Sequence, residues 1–100
     1  MTAALVLGAG GLGCEVLHLL ARQSTIHRID IIDYDLIEVS NLNRQMFYGQ
    51  AEVGQSKALV AAAKLKQGKE VTGHAVRMEA MEVDFYRQFD TIYCCLDNIE

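Results

Sequence analysis

Apolar and polar residues follow one another along this chain in blocks. Residues Ala3–Leu7 form a short apolar run closed by glycines, the pattern of a strand buried on both faces. The proline-free stretch from Leu12 to about Gln23 sets Leu12, Val16, Leu19, Leu20 and Gln23 at helical spacing and predicts a helix. Arg28–Ile32 reads as a second strand, and residues 33–52 as an irregular polar segment around DYDLIEVSNLNRQ. Val53–Lys66 predicts a second helix, with Val53, Leu59, Val60 and Ala63 toward the core and Gly68 at its end. Val71–Val76 is a third strand, Asp84 caps a short helical turn running through Phe89, and Thr91–Cys95 is a fourth strand. Strands alternating with helices at this spacing imply right-handed crossovers. The expected fold is α/β, a Rossmann-like, doubly wound and mainly parallel sheet.

Composition narrows the function classes. One hundred residues allow one domain with a modest core, and a hydrophobic content of 51% excludes a disordered chain. Thirteen acidic against nine basic residues, a net charge of −4, argue against a dedicated nucleic-acid binder. The three cysteines, Cys14, Cys94 and Cys95, cannot all pair and lack zinc spacing, so reduced thiols in an intracellular compartment are expected. Residues 1–21 carry a single formal charge, Glu15, yet lack the basic start of a signal peptide. Four glycines, Glu15 and His18 also interrupt the roughly 20 apolar residues that a membrane span needs. Neither a membrane nor a nucleic-acid partner is expected.

The candidate chemistry clusters at predicted strand ends. Gly8-Ala9-Gly10-Gly11-Leu12-Gly13 fits G-x-G-x-x-G where a strand turns into a helix, which lets a phosphate approach backbone amides at the positive helix end. A glycine-rich packing turn accounts for the same string, so the motif alone is weak. Asp33 lies 20 residues after Gly13, directly after the second strand, where such folds place an acid on a ribose. Position favours Asp33, with Asp30 and Asp35 still open. Asp97 follows the fourth strand and suits either a Mg²⁺ ligand facing phosphates or a helix N-cap. Arg44 and Lys57 supply the cations that a triphosphate needs more than a dinucleotide does, so a nucleoside triphosphate is preferred over NAD. Residues 39–69 carry Arg44, Lys57, Lys64, Lys66 and Lys69 against Glu52 alone, a net of +4 that leaves −8 to the rest. The cysteines read as packing residues, and His18, His27 and His74 lack ligand spacing. Met46, Phe47 and Tyr48 form a small apolar patch that is either core cover or a partner contact.

The strings VLGAGGLGCE, IDIIDYDLIEVSNLNRQMF, VGQSKALVA and CLDN together resemble the adenylation domain of ubiquitin-like-protein-activating enzymes, in the wider ThiF/MoeB superfamily. The resemblance covers nearly all of the chain, and NLNRQ between a DxD and a GxxKA is more specific than the glycine loop. GLGCE and FYRQF are similar to the eukaryotic branch, first to subunits that activate Rub/Nedd-type modifiers and second to SUMO-activating subunits.

That resemblance implies binding of MgATP and adenylation of the modifier's C-terminal glycine carboxylate, with release of pyrophosphate. At matching positions it implies that Gly8, Ala9, Gly10, Gly11, Leu12 and Gly13 cradle phosphates and that Asp33 holds the ribose. Asn41, Leu42, Asn43 and Arg44 would run along the nucleotide, Asn41 and Arg44 touching phosphates. Lys57 would stabilise their charge, Asp97 would ligate magnesium, Asn98 beside it would also bind the nucleotide, and the backbone of Ala80 and Met81 would meet adenine. Arg44, Lys57 and Asp97 form the implied catalytic set. A carboxylate is ionised at pH 7, so the step needs no general base and can rest on holding two anions together against their repulsion.

The resemblance also implies a heterodimer with a partner subunit, a conjugating enzyme met by the full-length protein, and a cytoplasmic or nuclear setting. The family's catalytic-cysteine and modifier-binding domains have no counterpart in these residues. Residues 1–100 are therefore expected to be the N-terminal part of an adenylation domain, unable to charge a modifier alone.

Overall fold

The computed structural model describes residues 2–42, 48–65 and 68–96. Strands β1 (Thr2–Leu7), β2 (Ile26–Ile32), β3 (Glu70–His74) and β4 (Thr91–Cys94) form one sheet in the order β3-β2-β1-β4, with every pairing parallel. Helices α1 (Gly11–Ala21) and α2 (Lys57–Leu65) carry the first two crossovers, and the short α3 (Val83–Tyr86) precedes β4. The chain moves outward from β1 twice and then returns to its other side. This Rossmann-like reversal sets a topological switch point at the carboxyl end of β1, where open α/β sheets bind ligands. Among the described residues no helix is long and apolar enough to cross a membrane.

Side chains alternate between the two faces of the sheet. Ala4, Val6, Ile29, Ile31 and Val71 share the larger core with residues of α1 and α2, while Leu5, Leu7 and Ile32 pack with Phe85, Tyr86 and Phe89 on the opposite face. Each fully buried Leu or Ile contributes roughly 1.5–3 kcal/mol, so burial on both faces of β1 holds the sheet's centre. The second face also contains a charge. Asp30 is 2% exposed and accepts from Arg28 Nε at 2.8 Å, with His74 Nε2 at 2.7 Å from its other oxygen. Phe85 meets the His74 ring edge-on, and Phe89 lies under the Arg28 guanidinium.

The periodicity predicts the helices correctly and their faces only in part: Val16, Leu20 and Val60 face the core as expected, and the other positions do not. In α1 the buried residues are Gly13, Cys14, Leu17 and Leu20, whereas Leu12 is 58% exposed and Leu19 is 55% exposed. The cause is Gly13, whose Cβ position would overlap the Gly8 carbonyl. That contact fixes the helix's rotation, and Leu17 and Leu20 follow Gly13 at i+4 and i+7.

Helix α2 begins at Lys57, four residues later than the apolar pattern suggests. Gly54, at a φ of +94°, breaks the helical path, and Ser56 Oγ accepts the Leu59 N–H as an N-cap does. Val53 stays outside the helix, Leu59 and Ala63 are exposed, and Ala58, Val60, Ala61, Ala62 and Leu65 form the buried face. Ala58 packs against Gly73 of β3 so closely that a Cβ there would strike the Ala58 carbonyl.

β3 ends at His74, two residues early, and β4 ends at Cys94. The cap position of α3 is Glu82, with Asp84 inside the first turn.

Candidate functional site

The glycine turn leaves β1 at Gly8, where φ is +104° and a side chain would collide with the Cys95 carbonyl. Gly8 N–H donates to the Ile32 carbonyl at 2.8 Å, and Cys95 N–H to the Leu7 carbonyl at 2.8 Å, so the ends of β1, β2 and β4 meet in one place. Gly8 and Gly13 are thus required by the fold itself. Gly10 is not: its φ is −85° and a Cβ there would meet nothing within 4 Å. It is the N-cap of α1, and no described side chain caps that end. First-turn amides and the positive end of the helix dipole therefore border open space.

That space is a cleft of about 450 Å³. One wall is Leu7, Gly8, Gly10 and Gly11, with Ile32, Asp33, Tyr34 and Asp35 beside it. Asn41 and Lys57 approach from the segments after β2, Val76, Arg77, Met78 and Glu79 from the loop after β3, and Cys95 and Leu96 from the end of β4. Burial, and secondarily Cys94, push the Cys95 thiol above its ordinary range, which suits a packing residue rather than a nucleophile.

Asp33 organises this rim. Its Oδ2 accepts the Ala9 N–H at 2.7 Å and its Oδ1 accepts the Asp35 N–H at 2.8 Å. Each carboxylate oxygen has a further lone pair able to accept from a ligand hydroxyl. Asp35 acts through its backbone as well, since its carbonyl accepts the Lys57 N–H at 3.1 Å and so sets the first residue of α2 beside the cleft. Asn41 Oδ1 accepts the Glu38 N–H at 2.8 Å, which leaves the side-chain NH₂ as the donor it can offer. Asp30, still open in the sequence, is engaged by Arg28 and His74 on the second face and does not border the cleft.

Of the residues singled out in the sequence, Gly8, Gly10, Gly11, Asp33, Asn41 and Lys57 share this cleft. Ala9 and Gly13 lie beneath it, buried, and Leu12 faces solvent. Leu42 packs against the larger core. Ala80 and Met81 do not line the cleft, and Met81 packs into the second apolar cluster. Met78 and Glu79, just before them in the same loop, do line it. Asn43, Arg44, Asp97 and Asn98 lie outside the described residues, as do Met46 and Phe47. Tyr48 is core, 5% exposed.

Sequence reasoning missed Tyr34 and the loop at 76–79. The Arg77 guanidinium sits 4.2 Å from the centroid of the Tyr34 ring, a cation–π pair at the cleft mouth. The rule that ligands gather where parallel strands end would have found that loop had β3 been ended at His74.

The arrangement suits an anionic ligand with hydroxyl groups. Amides and Lys57 favour negative charge at one end, Asp33 accepts from hydroxyls, and apolar side chains of Val76, Met78 and Leu96 offer surface to a flat ring. Among the described residues no three His, Cys, Asp or Glu side chains gather as a metal site.

Known proteins carry the same pattern. The ThiF family profile matches residues 2–100. The NEDD8-activating enzyme E1 catalytic subunit of Caenorhabditis elegans is 52% identical over 101 residues, covering 98% of this chain and 23% of that protein. SUMO-activating enzyme subunit 2 of Dictyostelium discoideum is 41% identical over 100 residues, covering 95% of this chain and 15% of that protein. The crystal structure of E. coli tRNA N6-threonylcarbamoyladenosine dehydratase, TcdA, in complex with ATP is similar at a TM-score of 0.83 and 29% identity, over 99% of this chain and 42% of that one. The chain thus spans less than a quarter of the length of either curated relative. Matched by the profile from residue 2 to residue 100, and half identical to a relative over the same stretch, this chain belongs to the ThiF family.

Proposed function

We propose that this chain is the nucleotide-binding part of a ubiquitin-like-protein-activating enzyme of the NEDD8-activating kind. Its reaction is attack of a modifier's C-terminal glycine carboxylate on the α-phosphate of ATP, forming the acyl-adenylate and releasing pyrophosphate. The observation that carries this reading is the open space in front of Gly10, ringed by helix-terminal amides, Asp33 and Lys57. The 52% identity to a NEDD8-activating catalytic subunit, against 41% to a SUMO-activating subunit, favours the first modifier class.

In this reading the amides around Gly10 and the Lys57 ammonium offset the charge of the phosphates, while Asp33 accepts from the ribose hydroxyls. The loop Val76–Glu79, with Tyr34 and Arg77 at the mouth, receives the adenine. Arg44 and Asp97 keep the roles their motif positions suggest, on the phosphates and on Mg²⁺ respectively. Bound magnesium would supply further charge neutralisation. No residue need act as a general base, because the attacking carboxylate is already ionised. Catalysis consists of holding two anions together. A partner subunit completes the enzyme, the longer protein delivers the modifier to a conjugating enzyme, and the setting is intracellular.

The test is ATP–pyrophosphate exchange by the full-length gene product with its partner subunit and a panel of ubiquitin-like proteins. One NEDD8-type modifier should support exchange, and Lys57→Ala and Asp97→Ala should each lower it by about 100-fold. Exchange that survives both substitutions contradicts the site, and tight NADH binding without exchange contradicts the reaction.

A further inference from the structure

Beneath the glycine turn lies a phenol that the nucleotide reading leaves without a task. The Tyr48 hydroxyl donates to the Ala9 carbonyl at 2.6 Å and lies 3.4 Å from the Lys57 carbonyl. Cys14 Sγ, in the first turn of α1, is 3.8 Å from the same oxygen. One buried atom thus touches the glycine turn, the start of α1 and the start of α2. A phenylalanine would fill the same space with its ring, so the hydroxyl is there for its polar contacts. A phenol is protonated at neutral pH and so donates there; burial first, and then Cys14, push this one above its ordinary range and extend that state to more alkaline pH.

Two consecutive peptides of the turn are pinned from different sides. Ala9 N–H is held by Asp33 Oδ2, and Ala9 C=O accepts from Tyr48 at 2.6 Å and, at the longer distance of 3.4 Å, from Cys14 Sγ, so the phenol is its shorter and stronger anchor. A trans peptide directs the N–H of the next residue opposite to its C=O, and the chain contains no cis peptide among its described residues. With the Ala9 carbonyl turned down to Tyr48, the Gly10 N–H points away from the core, on the side where Gly10 borders the cleft.

We propose that Tyr48 is a positioning residue for phosphate recognition: its hydroxyl holds the Ala9–Gly10 peptide with the Gly10 N–H toward the cleft, and ties that peptide to the start of the helix that bears Lys57. The inference rests on the nucleotide reading above. It adds that one hydrogen-bonded hub sets two phosphate-facing groups together.

Tyr48→Phe removes the hydroxyl and keeps the ring. ATP and adenosine are titrated calorimetrically into the full-length gene product with its partner subunit, wild type and variant, with the melting transition read on the same samples. The variant should bind ATP about 10-fold more weakly, the effect of one misplaced hydrogen bond, and adenosine within about twofold, since adenosine has no phosphate. Equal losses for both ligands, or no loss for either, overturn the proposal while leaving the nucleotide reading intact. Failure of the wild type to bind ATP overturns both. If Tyr48→Phe loses its melting transition, the Gly10 amide resonance of the wild type supplies the readout. ATP should displace it and adenosine should not; a resonance that ignores ATP overturns the proposal.

Discussion

The glycine turn has two sides that differ in what they demand. On its underside the polypeptide is pressed together: a Cβ at Gly8 would strike the Cys95 carbonyl and one at Gly13 would strike the Gly8 carbonyl. Ala9 and Cys14 are fully buried there, and Tyr48 nearly so. On the outer side, Gly10 faces nothing within 4 Å and has an ordinary negative φ. The same residue type therefore answers to two causes. Gly8 and Gly13 would be needed in a protein with no ligand at all, whereas Gly10 has no packing or backbone reason to lack a side chain. Of these three glycines, Gly10 is the one that speaks for a bound group.

Substitutions on the underside should break the fold first and binding as a consequence. Gly13→Ala forces α1 off the turn and should cost about 3 kcal/mol or more, read as loss or steep early onset of the urea transition. A near-native midpoint would mean that the contact is not close. Asp33 spans both sides, since it holds two backbone N–H groups and faces the cleft. Asp33→Asn points an amide donor at one of them. It should lower stability by about 1–3 kcal/mol and weaken ATP by about 10-fold. Unchanged values for both would remove Asp33 from the centre of the rim.

The smallest effect belongs to Tyr48, whose phenol is held above its ordinary value of 10.0 chiefly by burial. A raised folded value means a contribution fully present below the unfolded pKa and lost as the pH climbs above it. By about pH 11 the wild type should have lost on the order of 1 kcal/mol that Tyr48→Phe does not lose, so their stability difference narrows between about pH 9 and about pH 11. The other tyrosines cancel in the comparison. Parallel curves would show that the phenol ionises within the folded chain.

Much of this was legible in the residues. Strand and helix identity followed from apolar runs and from the absence of proline. The Asp33 position followed from counting past the glycines, because a βαβ unit has a nearly fixed length. What was not legible depends on contacts between distant segments. The buried face of α1 is set by Gly13 against Gly8, not by where leucines fall, so Leu12 and Leu19 mislead. Asp30 and Asp33 differ by three residues, and only strand register puts one against His74 and the other at the rim. The late start of α2 did have a local sign, Gly54 followed by Ser56, which the apolar pattern of Val53–Lys66 overrode. Tyr48 had none: a tyrosine beside Met46 and Phe47 carries no mark of the carbonyls its hydroxyl will meet.

The central claim is that the outer side of the turn is shaped for a nucleotide's phosphates, and Gly10→Ala tests it most directly. Thermal melting and ATP titration are measured on one preparation of the variant and one of the wild type. The melting temperature should stay within about 2 °C of wild type or rise slightly, because alanine fits the backbone there and restricts the unfolded chain. ATP binding should weaken by about 50-fold or more, because the new methyl group occupies the approach to the amides. Wild-type ATP affinity in a normally folded Gly10→Ala chain would contradict the account.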